Sequence, residues 1–268
     1  ASGGNYNVVV GDEAGTAINT GDGNVAVGFE AGNDITTGSY NTIMGWKAGD
    51  KISTGGSNTA IGDGAIGSDT LGQKSVAIGS NTLNAQNFTT ATDTYNTAMG
   101  WNAGAAVTTG DSNTLIGGLA GDALTVGNSN VVLGFNALSS DTKGDRSVAI
   151  GMAALTAQNF TTTTDTYNTA VGYTAGAAIT TGTSNTLIGG LAGDALITGE
   201  LNVAVGKDAL GADTDGGYNV GVGALALTTQ NFTTTTNSYN TAVGGLAGRL
   251  ITTGIQNTII GGLAGDAL

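Results

Sequence analysis

The stretch "NTAVGYTAGAAITTGTSNTLIGGLAG" (Asn168–Gly193) decides the fold. Its opening N-T-A-V-G returns 17 residues later as N-T-L-I-G (Asn185–Gly189). Seventeen residues punctuated by glycine are too few for a βαβ unit or a helical hairpin. The same opening recurs outward in both directions. Units start at Asn7, Asn24, Asn41, Asn58, Ser75, Asn96, Asn113, Asn130, Ser147, Asn168, Asn185, Asn202, Asn219, Asn240 and Asn257. Of these fifteen units, eleven have 17 residues, those at Ser75, Ser147 and Asn219 have 21, and the last stops at Leu268. Three short units and one long one make a super-repeat of 72 residues.

The columns of this array have physical content. The second position is always Val or Thr and the fourth always apolar, the alternation of a short strand. The fifth is Gly in every unit, which predicts a positive φ or a neighbour too close for a Cβ. The eighth is Ala in fourteen units, with Thr82 the exception. Where the ninth is Gly (Gly15, Gly32, Gly104, Gly121), the twelfth is apolar (Ile18, Ile35, Val107, Leu124). Where the ninth is Ile66, Leu138 or Leu210, the twelfth is Asp69, Asp141 or Asp213. One large apolar filler per unit, supplied from either place, is what a narrow shared core requires.

These features predict an all-β chain, a parallel β-solenoid or β-roll of about fifteen coils with a 17/17/17/21 super-repeat. Helix is disfavoured by the glycine and β-branched content. Coils stacked about 4.8 Å apart would give a rod of roughly 70 Å, with long coils about 19 Å apart. We expect residues 1–268 to form one continuous solenoid. The opening "ASGGNY" reads like the tail of a preceding unit, and the chain stops mid-unit without a polar cap, the signs of a window from a longer array. For the asparagine at the first position two readings stay open, a hydrogen-bonded ladder up the stack or simple turn preference.

Composition limits the chemistry. The chain has 48 Gly and no Pro, Cys or His, and its net charge is −13 although only 10% of residues are charged. That balance argues against nucleic acid or an anionic membrane as partner. No apolar run reaches the length of a membrane-spanning helix, so direct membrane insertion is not expected. Without Cys or His the usual transition-metal sites are missing, and we expect no cofactor and no metal. Nucleophilic triads lack their histidine, and Asp69, Asp141 and Asp213 lie roughly 19 Å apart by coil spacing, too far for paired carboxylate chemistry. We expect no enzyme. Asp208, Asp213 and Asp215 share one coil and admit two readings, a weak calcium site or solvated turn aspartates.

The third position bears on oligomeric state. It reads Val9, Ala26, Ile43, Ala60, Ala77, Ala98, Leu115, Val132, Ala149, Ala170, Leu187, Ala204, Gly221, Ala242 and Ile259. With the second and fourth positions assigned to the interior, this stripe faces outward. An outward apolar stripe of that length predicts burial against copies of the same chain.

Several motifs resemble known repeats. "SVAIG" (Ser75–Gly79 and Ser147–Gly151) resembles the head repeat of YadA-like trimeric autotransporter adhesins. The stretch quoted at the outset resembles the shaft arrays of phage tail-fibre-like proteins. The resemblance covers nearly all of residues 7–268. It implies a trimer of left-handed parallel β-rolls, at a bacterial cell surface or on a virion, used for attachment.

Every fourth coil ends in a threonine-rich stretch, "QNFTTATDTY" (Gln86–Tyr95), "QNFTTTTDTY" (Gln158–Tyr167) and "QNFTTTTNSY" (Gln230–Tyr239). Two readings stay open. In one, Phe88, Phe160 and Phe232 dock on the core, Tyr95, Tyr167 and Tyr239 cover the edge, and the threonines are a solvated excursion. In the other, Phe88, Thr89, Thr90 and Tyr95 form, with Phe160, Thr161, Thr162, Tyr167, Phe232, Thr233, Thr234 and Tyr239, a ridge that touches a cell-surface glycan, matrix or a neighbouring filament. An end-to-end filament subunit is an alternative. So is an ice-binding solenoid, on the threonine column Thr20, Thr37, Thr54, Thr109, Thr181, Thr198 and Thr253, which Leu71, Val126, Lys143 and Asp215 interrupt.

Overall fold

The computed structural model describes residues 3–267; Ala1, Ser2 and Leu268, part of the opening and closing stretches above, lie outside them. Among the described residues there is no helix. Each of the fifteen coils contributes one three-residue strand at its second to fourth positions, in chain order, and the fold is a parallel β-solenoid. Two compact units, Ala1–Asn130 and Val131–Leu268, are built from this coil. In the first, strands from Val8–Val10 to Thr114–Ile116 each pair in parallel with the next. In the second, strands from Val131–Leu133 to Thr258–Ile260 do the same. Partners are equivalent positions of successive coils: Ala26 lies beside Ile43 across a short coil, and Ala77 beside Ala98 across a long one. The four extra residues are therefore absorbed outside the main strand.

The fifth-position glycine is required twice over. Its φ lies between +126° and +146° in all fifteen coils, a region closed to residues with a side chain. At Gly172 a Cβ would also stand 2.4 Å from the carbonyl oxygen of Gly189 in the next coil. The corners are turned by left-handed residues at the seventh, ninth and last positions, for instance Thr174, Gly176 and Ser184 in one coil.

The filler relation holds in three dimensions. A Cβ on Gly32 would meet Ile35 Cδ1 at 2.7 Å, and one on Gly193 would meet Leu196 Cδ1 at 2.9 Å. The twelfth-position side chain thus occupies the space the ninth leaves vacant.

The expectation for the third position is overturned. Ala26, Ile43, Ala60, Ala77, Ala98, Leu115, Val132, Ala149, Ala170, Leu187, Ala204 and Ala242 are all at 0% exposure, and Ile259 is buried. Gly221 is buried too. These residues line the interior of the chain's own coils and form no outer stripe. Only Val9, in the first main strand, is exposed. Packing supplies the reason. Wherever the third position is Ile or Leu (Ile43, Leu115, Leu187, Ile259), the ninth is Gly (Gly49, Gly121, Gly193, Gly265). A Cβ on Gly193 would meet Leu187 Cδ2 at 2.8 Å. Where the ninth is Leu155 or Leu227, the third shrinks to Ala149 or Gly221. The third, ninth and twelfth positions share one interior with those of the coils on either side, a Cβ on Gly104 meeting Leu115 Cδ1 at 2.6 Å and Leu83 Cδ2 at 3.0 Å, and interiors packed to crystal density permit such exchange only between neighbours.

The first-position asparagines form a ladder. In the second unit the Asn185 backbone N–H donates to Asn168 Oδ1 at 3.0 Å, and Asn202 does the same to Asn185 Oδ1 at 3.1 Å. The side-chain amides of Asn168, Asn185, Asn202 and Asn240 also donate to a carbonyl of their own coil, Asn185 Nδ2 to Gly199 O at 2.9 Å. These asparagines are fully buried, so every bond satisfies a group that water cannot reach.

Candidate functional site

The long coils carry the distinctive chemistry, and it begins inside. Asp69, Asp141 and Asp213 are at most 1% exposed, and for Asp213 this overturns the reading as a solvated turn residue. Each sits in the coil before a long one. The Nε2 of Gln86, Gln158 or Gln230, at the twelfth position of the long coil, donates to its Oδ2 at 2.5–2.6 Å. Its Oδ1 accepts from two backbone N–H groups, those of Gly72 and Phe88 in the first super-repeat, at 3.0 and 3.1 Å. The equivalents are Gly144 and Phe160, then Gly216 and Phe232. Gln Oε1 accepts in turn from the first-position amide of the following coil, Asn96, Asn168 or Asn240. The Asp–Gln pair thus replaces the apolar filler, and it clamps the start of each excursion.

The ladder changes at the same height. Ser75 and Ser147 take the place of asparagine and pair with the hydroxyls of Thr94 and Thr166. In the third long coil Asn219 pairs with the shorter Ser238 at 2.6 Å. A longer side chain on one side meets a shorter one on the other.

From this clamp the excursion leaves the core. Phe88, Phe160 and Phe232 are buried, at 6–8% exposure. Thr89, Thr90, Thr161, Thr162, Thr233 and Thr234 are exposed. The chain then returns as a two-residue strand that pairs in parallel with the coil before it. Thr92–Asp93 lies on Gly72–Gln73, Thr164–Asp165 on Gly144–Asp145, and Thr236–Asn237 on Gly216–Gly217. Tyr95, Tyr167 and Tyr239 end the coil, exposed, at φ of +49° to +52°. The structure therefore brings Thr and Tyr of each long coil to the surface and withdraws Phe from it.

A small cluster caps each return. Lys74 pairs with Asp93 at 2.6 Å and stands 5.2 Å from the Tyr95 ring. Arg146 pairs with Asp165 and lies over Tyr167. In the third super-repeat the cation becomes Tyr218 and the carboxylate Asn237, and Tyr218 packs on Tyr239 with ring centroids 5.0 Å apart. Cation and anion are lost together, so no charge is left unpaired.

A second surface lies where strand alternation predicts interior. The second and fourth positions point outward. They are half-buried to exposed along every coil, Met44 at 41% and Ile188 at 40%. Beside them the sixth position adds exposed Phe29, Trp46, Trp101, Phe135, Met152 and Tyr173. Phe29 and Trp46 stack with centroids 6.4 Å apart and planes 14° apart. The thirty residues of the second and fourth columns include no charged group. The exchange between third and ninth positions was the signal that distinguishes the two faces.

The carboxylates show no metal geometry. Asp213 is engaged by N–H donors alone, Asp215 Oδ1 accepts from Thr198 Oγ1, and Asp208 pairs with Lys207. Among the described residues no group of three His, Cys, Asp or Glu side chains is placed to hold a metal ion, and no helix is long and apolar enough to cross a membrane.

Burial pushes the Asp213 carboxyl above the ordinary carboxylate range, against the bonds from Phe232, Gln230 and Gly216, and the Asp215 charge adds to the rise. A raised folded-state value gives stability that is complete below the unfolded value and fades as pH rises through the folded one. Asp213→Asn cannot titrate there, and its amide would face the Gln230 amide. It should cost about 1–3 kcal/mol at neutral pH. The gap between wild type and variant should widen as pH falls toward about 4. Urea unfolding of both chains across that range checks this; a gap that closes on acidification contradicts it.

Comparison of the chain with protein-family models, with curated proteins and with solved structures gave no match.

Proposed function

We propose that this chain is the repetitive shaft or head of an extracellular homo-oligomeric fibre, at a cell surface or on a virion, serving structure and attachment. The resemblance to adhesin heads and tail-fibre shafts makes the trimer the expected assembly. The observation that carries the reading is the outward sheet face, apolar or threonine at every coil and free of charge in a chain of net charge −13. Soluble chains rarely leave so extended an apolar surface bare. Copies of the same chain are the fitting occupant. They share the coil spacing, so side chains of one ladder meet those of another in register, and an uncharged face is where acidic copies approach without mutual repulsion. This replaces the third-position stripe as the interface. The long-coil threonines and tyrosines then face outward as the surface available to a glycan or matrix.

Sedimentation of the purified chain tests the assembly. We expect a multiple of the 26.0 kDa chain mass, three-fold for a trimer. The double variant Met44→Asp/Ile188→Asp should sediment as a monomer with an unchanged far-ultraviolet spectrum. A wild-type monomer, or a double variant that assembles normally, defeats the interface.

A further inference from the structure

The glutamine–asparagine–phenylalanine–threonine opening of each excursion has a use beyond packing. Of the 25 asparagines, only Asn87, Asn159 and Asn231 are followed two residues later by Ser or Thr with no intervening proline. That pattern is the acceptor of N-linked sugar. The three stand one super-repeat apart, once in each long coil.

The geometry suits an acceptor. Asn87, Asn159 and Asn231 are exposed, and so are Thr89, Thr161 and Thr233. The Oδ1 of each asparagine accepts from a threonine of the preceding coil, Thr70, Thr142 or Thr214, at 3.2–3.4 Å. No hydrogen bond engages the Nδ2 atoms or the three downstream threonine hydroxyls among the described residues. The buried phenylalanine between them anchors the tripeptide.

Stacking does not ask for asparagine at this position. In short coils the same column holds Thr36, Thr108 and Thr180, whose Oγ1 donates to the carbonyl of the coil above at 3.0–3.2 Å. Asparagine forgoes that bond. The threonine below also has a second acceptor, the phenylalanine carbonyl, at 2.7–3.2 Å. The amide is thus dispensable to the fold and presented to solvent.

We propose that Asn87, Asn159 and Asn231 are N-glycan attachment sites, one in each long coil. The inference rests on the extracellular placement proposed above. The donor is a sugar activated as a glycosyl pyrophosphate, used by a separate transferase. The Nδ2–C1 bond forms as the C1–O bond to the pyrophosphate breaks. The bonding pair leaves with the pyrophosphate, the amide gives up one proton, and nothing is oxidised or reduced.

Peptide mass spectrometry of the full chain from the organism that makes it, before and after peptide-N-glycosidase, tests this. Sugar should occupy these three asparagines and no other. A first residue of N-acetylhexosamine indicates a lipid-linked donor, and a lone hexose indicates a nucleoside diphosphate sugar; either supports the assignment. Thr161→Ala should abolish modification at Asn159 and leave the other two, while Thr161→Ser retains it. Three bare asparagines, or sugar on the neighbouring threonines alone, overturn the inference. Sedimentation of the same sample separates the two readings. A glycosylated monomer defeats the fibre and spares the sites, and an unmodified oligomer does the reverse.

Discussion

Leu187→Asp is expected to unfold the coils around it, whereas Ile188→Asp, one residue further on, leaves them folded. Leu187 is at 0% exposure and shares its space with Gly193 and Gly176. A carboxylate there would have no cation or hydrogen-bond donor to meet it and would lose a large apolar side chain as well. The two effects together cost about 4 kcal/mol or more, beyond what most single substitutions do. Ile188 points outward at 40% exposure, so an aspartate in its place remains hydrated. Urea unfolding followed by circular dichroism reads both. Equal destabilisation by the two variants would mean that the strand is buried on both faces within one chain. The reverse order would restore the third position to the outside.

The second large effect separates two adjacent glycines. Gly189 has φ +137°, and a Cβ on it would stand 2.6 Å from the carbonyl carbon and oxygen of Gly206. Gly190 has nothing within 4 Å of its would-be Cβ. Gly189→Ala must push one coil off the next or strain the backbone, and neither relaxes cheaply because the obstacle is main chain. The expected loss is about 3–5 kcal/mol. Gly190→Ala should stay within about 0.5 kcal/mol of wild type. Thermal melts of the two variants suffice. A mild Gly189→Ala would show that the stack tolerates local spreading, and the fifth column would then need another explanation.

Much of this molecule is legible along the chain because the repeat aligns it against itself. Fifteen versions of one coil expose which positions vary together. The exchange between Gly121 and Leu124, or between Leu138 and Asp141, announces a shared interior along the chain itself. The burial of Phe88 agrees with the reading in which phenylalanine docks on the core, while the exposure of Tyr95 is compatible with both readings that sequence alone left open. Asp69, Asp141 and Asp213 were harder. An aspartate followed by threonine in a turn-rich chain has the signature of a hydrated corner, and the glutamine that binds its carboxylate lies 17 residues away. Only the stacking of one coil on the next makes them neighbours.

What the amino-acid order determined by itself is the period, the place of each strand and the need for glycine after it. All three are local consequences of alternation, turn chemistry and length. Which face of the strand turns inward was decided by tertiary structure. Two-residue alternation separates Leu187 from Thr186 and Ile188, but it treats inside and outside alike when both faces are apolar. The choice falls to the side chains that meet across the coil. Leu187 fits where Gly193 leaves room, and the β-branched residues beside it are left on the outer face.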